Sequence, residues 1–81
     1  MARKITDGTF IAGVKYTYQK KGRAVTSNEV VDEMLRRRKE RPNRFSKMII
    51  KVEVADKLDD LAHKHKIRKI IQNRKEHYMP M

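Results

Sequence analysis

The hexapeptide Val25-Thr26-Ser27-Asn28-Glu29-Val30 constrains the fold of this chain more than any other stretch. Thr26 is placed to accept from the free amides of a helix's first turn, and Glu29, three residues on, is placed to cap back. Val25 and Val30 fall on either side of that start, as the two halves of a hydrophobic staple do. A helix therefore begins here, with Val30, Val31, Met34 and Leu35 as its apolar face. Good helix formers carry it through Arg36–Glu40 toward Pro42, which disfavours helical backbone in the residue before it, so the helix is expected to end near Lys39.

On either side of this anchor the charge is strongly uneven. Across 81 residues, 21 Lys and Arg face 10 Asp and Glu, a formal net charge of +11. Residues 36–51 carry a net +7 and residues 63–77 a net +5, while residues 52–62 between them carry −3. A field of that sign attracts polyanions: DNA, RNA, acidic proteins or anionic membrane surfaces. Both basic blocks contain Met, Ile or Val, so they read as folded surface rather than as a solvated tail. The length allows one domain with a thin core, and the lack of cysteine removes disulfides and thiolate zinc sites from its means of support. The first eight residues lack the apolar stretch of a signal peptide, and no window is apolar enough to span a membrane, so a soluble cytoplasmic, nucleoid-associated protein is expected.

Two periods compete elsewhere. Phe10, Ile11, Val14 and Tyr18 share a helical face, although Phe10, Ala12, Val14, Tyr16 and Tyr18 also alternate as in a strand. Lys20-Lys21-Gly22 suits a helix C-terminus, so a helix is preferred, capped by Asp7 or Thr9. After Pro42, the residues Phe45, Met48, Ile49, Val52, Ala55, Leu58, Leu61, Ala62 and His65 recur at helical steps. They predict a long third helix with that face apolar, capped by Asn43 or Ser46. Met48, Ile50, Val52 and Val54 alternate as a strand would, and this second reading stays open for residues 47–54. Ile67–Ile71 and Glu76–Met79 then read as two short strands joined by a polar, basic turn around Asn73, although Ile67, Ile70, Ile71 and Arg74 could also lie along a helix.

In this order the pieces resemble a winged helix-turn-helix domain. The join Tyr18–Val31 and the tail from Val54, Leu58, Leu61 and Ile67 through Arg68-Lys69-Ile70 to His77-Tyr78 carry the likeness. The resemblance implies a mainly α, α+β fold of three helices and a C-terminal β-hairpin wing over residues 9–81, after an N-terminal arm at 1–8. One departure is the basic connection Arg36–Arg44, longer than the short turn usual between the second and third helices. The resemblance further implies double-stranded DNA as partner, with the third helix in the major groove and the wing on the backbone, in a transcription or replication regulator. Arg44, Ser46, Lys47 and Lys51 would then meet bases and phosphates, and Arg36, Arg37, Arg38, Lys39 and Arg41 mostly phosphates. Arg68, Lys69, Asn73, Arg74 and Lys75 would hold the flanking backbone, with Asp56, Asp59 and Asp60 turned away. RNA or an acidic protein is a further candidate partner, and homodimerisation is open.

Two rival readings belong to other classes. Lys47–Val54 followed by Asp56–Lys66 also looks like a ribbon-helix-helix repressor, whose strand pairs with its twin. A small basic accessory or inhibitor protein of phage-like type, docked on a host polymerase or nuclease, is the other. Catalysis is not expected: Glu29, Asp32 and Glu33 sit where acidic residues favour a helix start, Ser27 and Ser46 have capping roles, and Gly8, Gly13 and Gly22 are isolated. His63 and His65 project from different faces of a helix and, with His77, make no metal site, so neither metal nor cofactor is expected. Phe10, Tyr16 and Tyr18 could stack on unpaired bases but are read as core.

Overall fold

The computed structural model describes residues 6–81, and the first five residues of the expected arm lie outside the described residues. Helix α1 spans Asp7–Lys21, α2 spans Ser27–Arg37 and α3 spans Arg44–His63; strands β1 (Ile67–Gln72) and β2 (Lys75–Pro80) close the chain. The fold is thus three helices followed by a two-stranded antiparallel wing. Residues 47–54 are helical, which removes the strand a ribbon-helix-helix dimer needs and corrects that alternative.

Each helix boundary has a local cause. Thr6, not Asp7 or Thr9, caps α1, accepting from the Thr9 amide at 3.3 Å. Gly22 ends it in the left-handed region at φ 71°, its amide bonding the Tyr18 carbonyl at 2.8 Å. The capping box of α2 forms as its sequence requires: the Glu29 amide donates to Thr26 Oγ1 at 3.2 Å, and the Thr26 amide donates to Glu29 Oε1 at 3.0 Å. Helix α2 stops at Arg37, two residues before the expected end, and Pro42 is not what stops it. Lys39 turns left-handed at φ 56°, so its amide reaches the Arg36 carbonyl and the Glu40 amide the Leu35 carbonyl, the paired bonds of a Schellman motif. The same motif ends α3, with His65 at φ 62° and the amides of His65 and Lys66 bonded to the carbonyls of Ala62 and Leu61. Asn43 caps α3 and Ser46 supplies the amide, at 2.8 Å.

The core sits where all the elements meet. Val14 of α1, Val25 and Val30 at the staple, Leu58 and Leu61 of α3, Ile67 of β1 and Tyr78 of β2 are fully buried. Gly13 lets α1 approach α2, since a methyl group there would meet Met34 Cγ and Sδ at 3.1 Å. Val25 does more than staple the helix: its amide and carbonyl bond the carbonyl and amide of Tyr78 at 2.9 and 2.6 Å. The segment between α1 and α2 is thereby a third, one-residue edge on β2, and it fixes the wing against the start of α2. The wing turn is Asn73-Arg74, both left-handed at φ 52° and 62°, a two-residue hairpin loop of the kind that follows the natural twist of the strands.

Helix α3 departs most from expectation. Its core face is Val54, Leu58 and Leu61, with Ile50 packed against the cluster. Phe45, Met48, Ile49 and Val52, expected to be buried, face solvent with exposures of 72, 60, 45 and 62%. Both stripes recur at helical spacing, and the buried one lies in phase with Leu58 and Leu61, whose burial against β1 and β2 sets the rotation of the whole helix.

Candidate nucleic-acid interface

A cation held by the protein's own carboxylate has less to offer a phosphate than one facing water. The basic residues divide sharply on this point. Glu33 of α2 is 5% exposed and gathers three of them: Lys20 at 3.1 Å, Arg36 at 3.0 Å and Arg37 at 3.0 Å. Burial pushes the Glu33 carboxyl up, but hydrogen bonds from Arg36 and Lys20 outweigh it and bring it to about 2. Glu29 likewise lies at about 2, held first by the Arg23 guanidinium at 2.7 Å. Arg37 also lies over the ring of Tyr16, 4.2 Å from its centre. That contact and the burial of Phe10 leave no row of open aromatic faces for bases on α1.

Other expected contacts are engaged as well. Arg38 pairs with Glu40 at 3.8 Å, Lys47 reaches back to Asp32 of α2 at 3.1 Å, and Lys69 is held by Asp59 at 2.5 Å with Glu76 beyond it at 3.7 Å. Two carboxylates of the acidic block of α3 therefore serve neighbouring cations, Asp60 on Lys64 and Asp59 on Lys69. Among the described residues, Lys39, Arg41, Arg44 and Lys51 in one stretch, and Lys66, Arg68, Arg74 and Lys75 in another, have no ion-pair partner; Lys15 stands apart. Lys15 and Lys66 were not foreseen as contacts, and Lys66 follows directly from the left-handed His65 that turns the chain out of α3.

The open cations are spread over the molecule. Lys39, Arg41 and Arg44 crowd the connection between the C-terminus of α2 and the N-terminus of α3. Asn73 and Lys75 of the wing lie across a cleft from Arg23, Thr26 and Glu29, at the other end of α2. Eleven residues of helix separate those ends, roughly 16 Å. Arg68 faces a second cleft near His63, His65 and Met81, at the base of the hairpin. The wing residues therefore divide between tip and base, with Lys69 tied down between them.

The four residues expected to read bases are not brought onto one face of α3. Arg44 and Lys51 lie along one edge of the exposed apolar stripe, Ser46 lies on the other, and Lys47 turns toward α2. What that helix presents to solvent over its first two turns is Phe45, Met48, Ile49 and Val52. The sequence carried a signal for this, since residues 45–54 place apolar side chains on two opposite sides of the helix and only one of those sides can meet the core.

His63 and His65 are exposed, while His77 is buried with Nδ1 3.0 Å from the Lys75 carbonyl. Among the described residues no group of three potential metal ligands comes together, and no helix is long and apolar enough to cross a membrane. Comparison with family models, curated proteins and solved structures returns no match.

Proposed function

We propose that this chain is a non-enzymatic double-stranded DNA-binding domain of winged helix-turn-helix type, acting as a small transcription or replication regulator, and that it grips the duplex mainly through phosphates. The observation that carries this reading is that Lys39, Arg41 and Arg44 at the α2–α3 connection and Arg74 and Lys75 at the wing tip have no ion-pair partner, while among the described residues most other lysines and arginines are paired with the chain's own carboxylates. The connection after α2 and the wing tip beside its start lie at opposite ends of a helix roughly 16 Å long, an arrangement that suits the two backbones of one duplex or separate phosphates of one strand. The apolar outer face of α3 favours backbone contact over base reading, because base edges are read mostly through hydrogen bonds.

The test is a titration of the purified protein into labelled random-sequence duplex and the matched single strands. Duplex binding is expected, weakened steeply by salt, with Lys39→Gln, Arg41→Gln and Arg44→Gln together lowering affinity alike for unrelated sequences. Equal binding to single strands would redirect the reading to RNA or unpaired DNA. A variant that lost affinity for one sequence only would instead place base readout at the start of α3.

A further inference from the structure

We infer that the exposed stripe Phe45, Met48, Ile49 and Val52 is the contact face of a two-fold dimer in which α3 of one copy lies parallel to α3 of a second. The four exposed side chains adjoin along two turns of α3, and a contiguous apolar patch of that kind marks an interaction surface. Phe45, Met48 and Val52 recur at the three- and four-residue spacing that lets two helices interlock, with Ile49 beside them.

The charges bordering the stripe identify the occupant. Arg44 and Lys51 line one edge, and neither has an ion-pair partner among the described residues. Asp56 lies at the other edge, with Glu53 just outside it. These are the two carboxylates that no described cation engages, although the chain is heavily basic and its other described carboxylates are all paired. A face with one basic and one acidic edge complements itself in only one direction. In a parallel pair each edge meets the opposite edge of the twin, so Lys51 of one copy falls opposite Asp56 of the other, five residues on, while Arg44 lies over Ile49. An antiparallel pair would set Arg44 and Lys51 against each other. The parallel arrangement also gathers both copies of the Lys39–Arg44 connection at one end, doubling the density of open cations there.

Sedimentation of the protein alone, without nucleic acid, separates this inference from the function proposed above. The wild-type chain is expected to sediment as a dimer at tens of micromolar, and Val52→Glu as a monomer with an unchanged far-ultraviolet spectrum. Lys51→Glu and Asp56→Lys should each weaken the dimer roughly three- to tenfold by setting like charges opposite one another, and the double swap should restore it. Wild-type protein that stays monomeric at these concentrations would overturn the inference. So would a dimer indifferent to Val52→Glu, or a double swap that fails to recover what either single change loses.

Discussion

The two halves of α3 are made of similar residues and do opposite things. From Val54 to Leu61 the apolar side chains belong to the core shared with α1, α2 and the wing, and two of the carboxylates between them are tied down, Asp60 to Lys64 and Asp59 to Lys69. From Phe45 to Val52 the outward apolar side chains meet water, and only Ile50 on the inner side reaches the core cluster. Hydrophobicity alone cannot tell these halves apart. What distinguishes them is which stripe remains in phase with a partner surface, because rotating the helix to bury Phe45 would expose Leu58.

The largest effect that would sharpen this contrast is on stability. Leu58→Ala should cost about 2–5 kcal/mol, as deletion of a fully buried leucine does, while Phe45→Ala should change the stability of the monomer by less than about 0.5 kcal/mol. Urea denaturation of both variants at low protein concentration measures the difference, and equal costs would break the comparison.

A smaller effect concerns what holds the connection ahead of the exposed half. Glu33 gathers Arg36 and Arg37 in the last turn of α2, just before the chain leaves for α3. Glu33→Gln should lower stability at neutral pH by roughly 1–2 kcal/mol, since the three cations it leaves stay largely hydrated. Its pH dependence has a definite sign. The carboxyls of Glu33 and Glu29 lie at about 2, below their ordinary 4.5, so their contribution is full above pH 4.5 and is lost as the pH falls toward 2. Thermal melts across that window should show a shallower acid loss in Glu33→Gln than in the wild type.

The smallest effect lies at the far end of α3. His65 holds a left-handed backbone that glycine adopts without a steric penalty, so His65→Gly should stabilise by about 0.5–1 kcal/mol. A rise of a few degrees in melting temperature would register it, whereas a fall would mean that the imidazole makes a contact worth more than the strain.

Much of this fold was legible from short-range chemistry. The Thr26–Glu29 box, the Val25–Val30 staple, the glycine after Lys21 and the polar turn at Asn73 each act within a few residues, and each forms where the sequence places it. Less legible were features that depend on another element. The end of α2 is set by a left-handed lysine rather than by Pro42, a choice that no propensity favours. The rotation of α3 depends on Leu58, Leu61 and Ile67 meeting, and so does the orientation of Arg44, Ser46, Lys47 and Lys51. Which cations stand open was hidden only in part for the same reason: Glu33 meets Arg36 and Arg37 at the three- and four-residue spacing of one helix, but Lys20 meets Glu33, Lys47 meets Asp32 and Lys69 meets Asp59 only once separate elements pack.

The central claim is that open cations, and not paired ones, make the contact with DNA, and the salt dependence of duplex binding tests it directly. Each phosphate contact adds about 0.9 to the slope of log affinity against log salt. Replacing Lys39, Arg41 and Arg44 by Gln should therefore flatten the slope by nearly 3, while replacing Arg36 and Arg37, both held by Glu33, should change it by less than about 1. Equal flattening by the two sets would contradict the claim, and absence of duplex binding at low salt would contradict the reading of this chain as a DNA-binding domain.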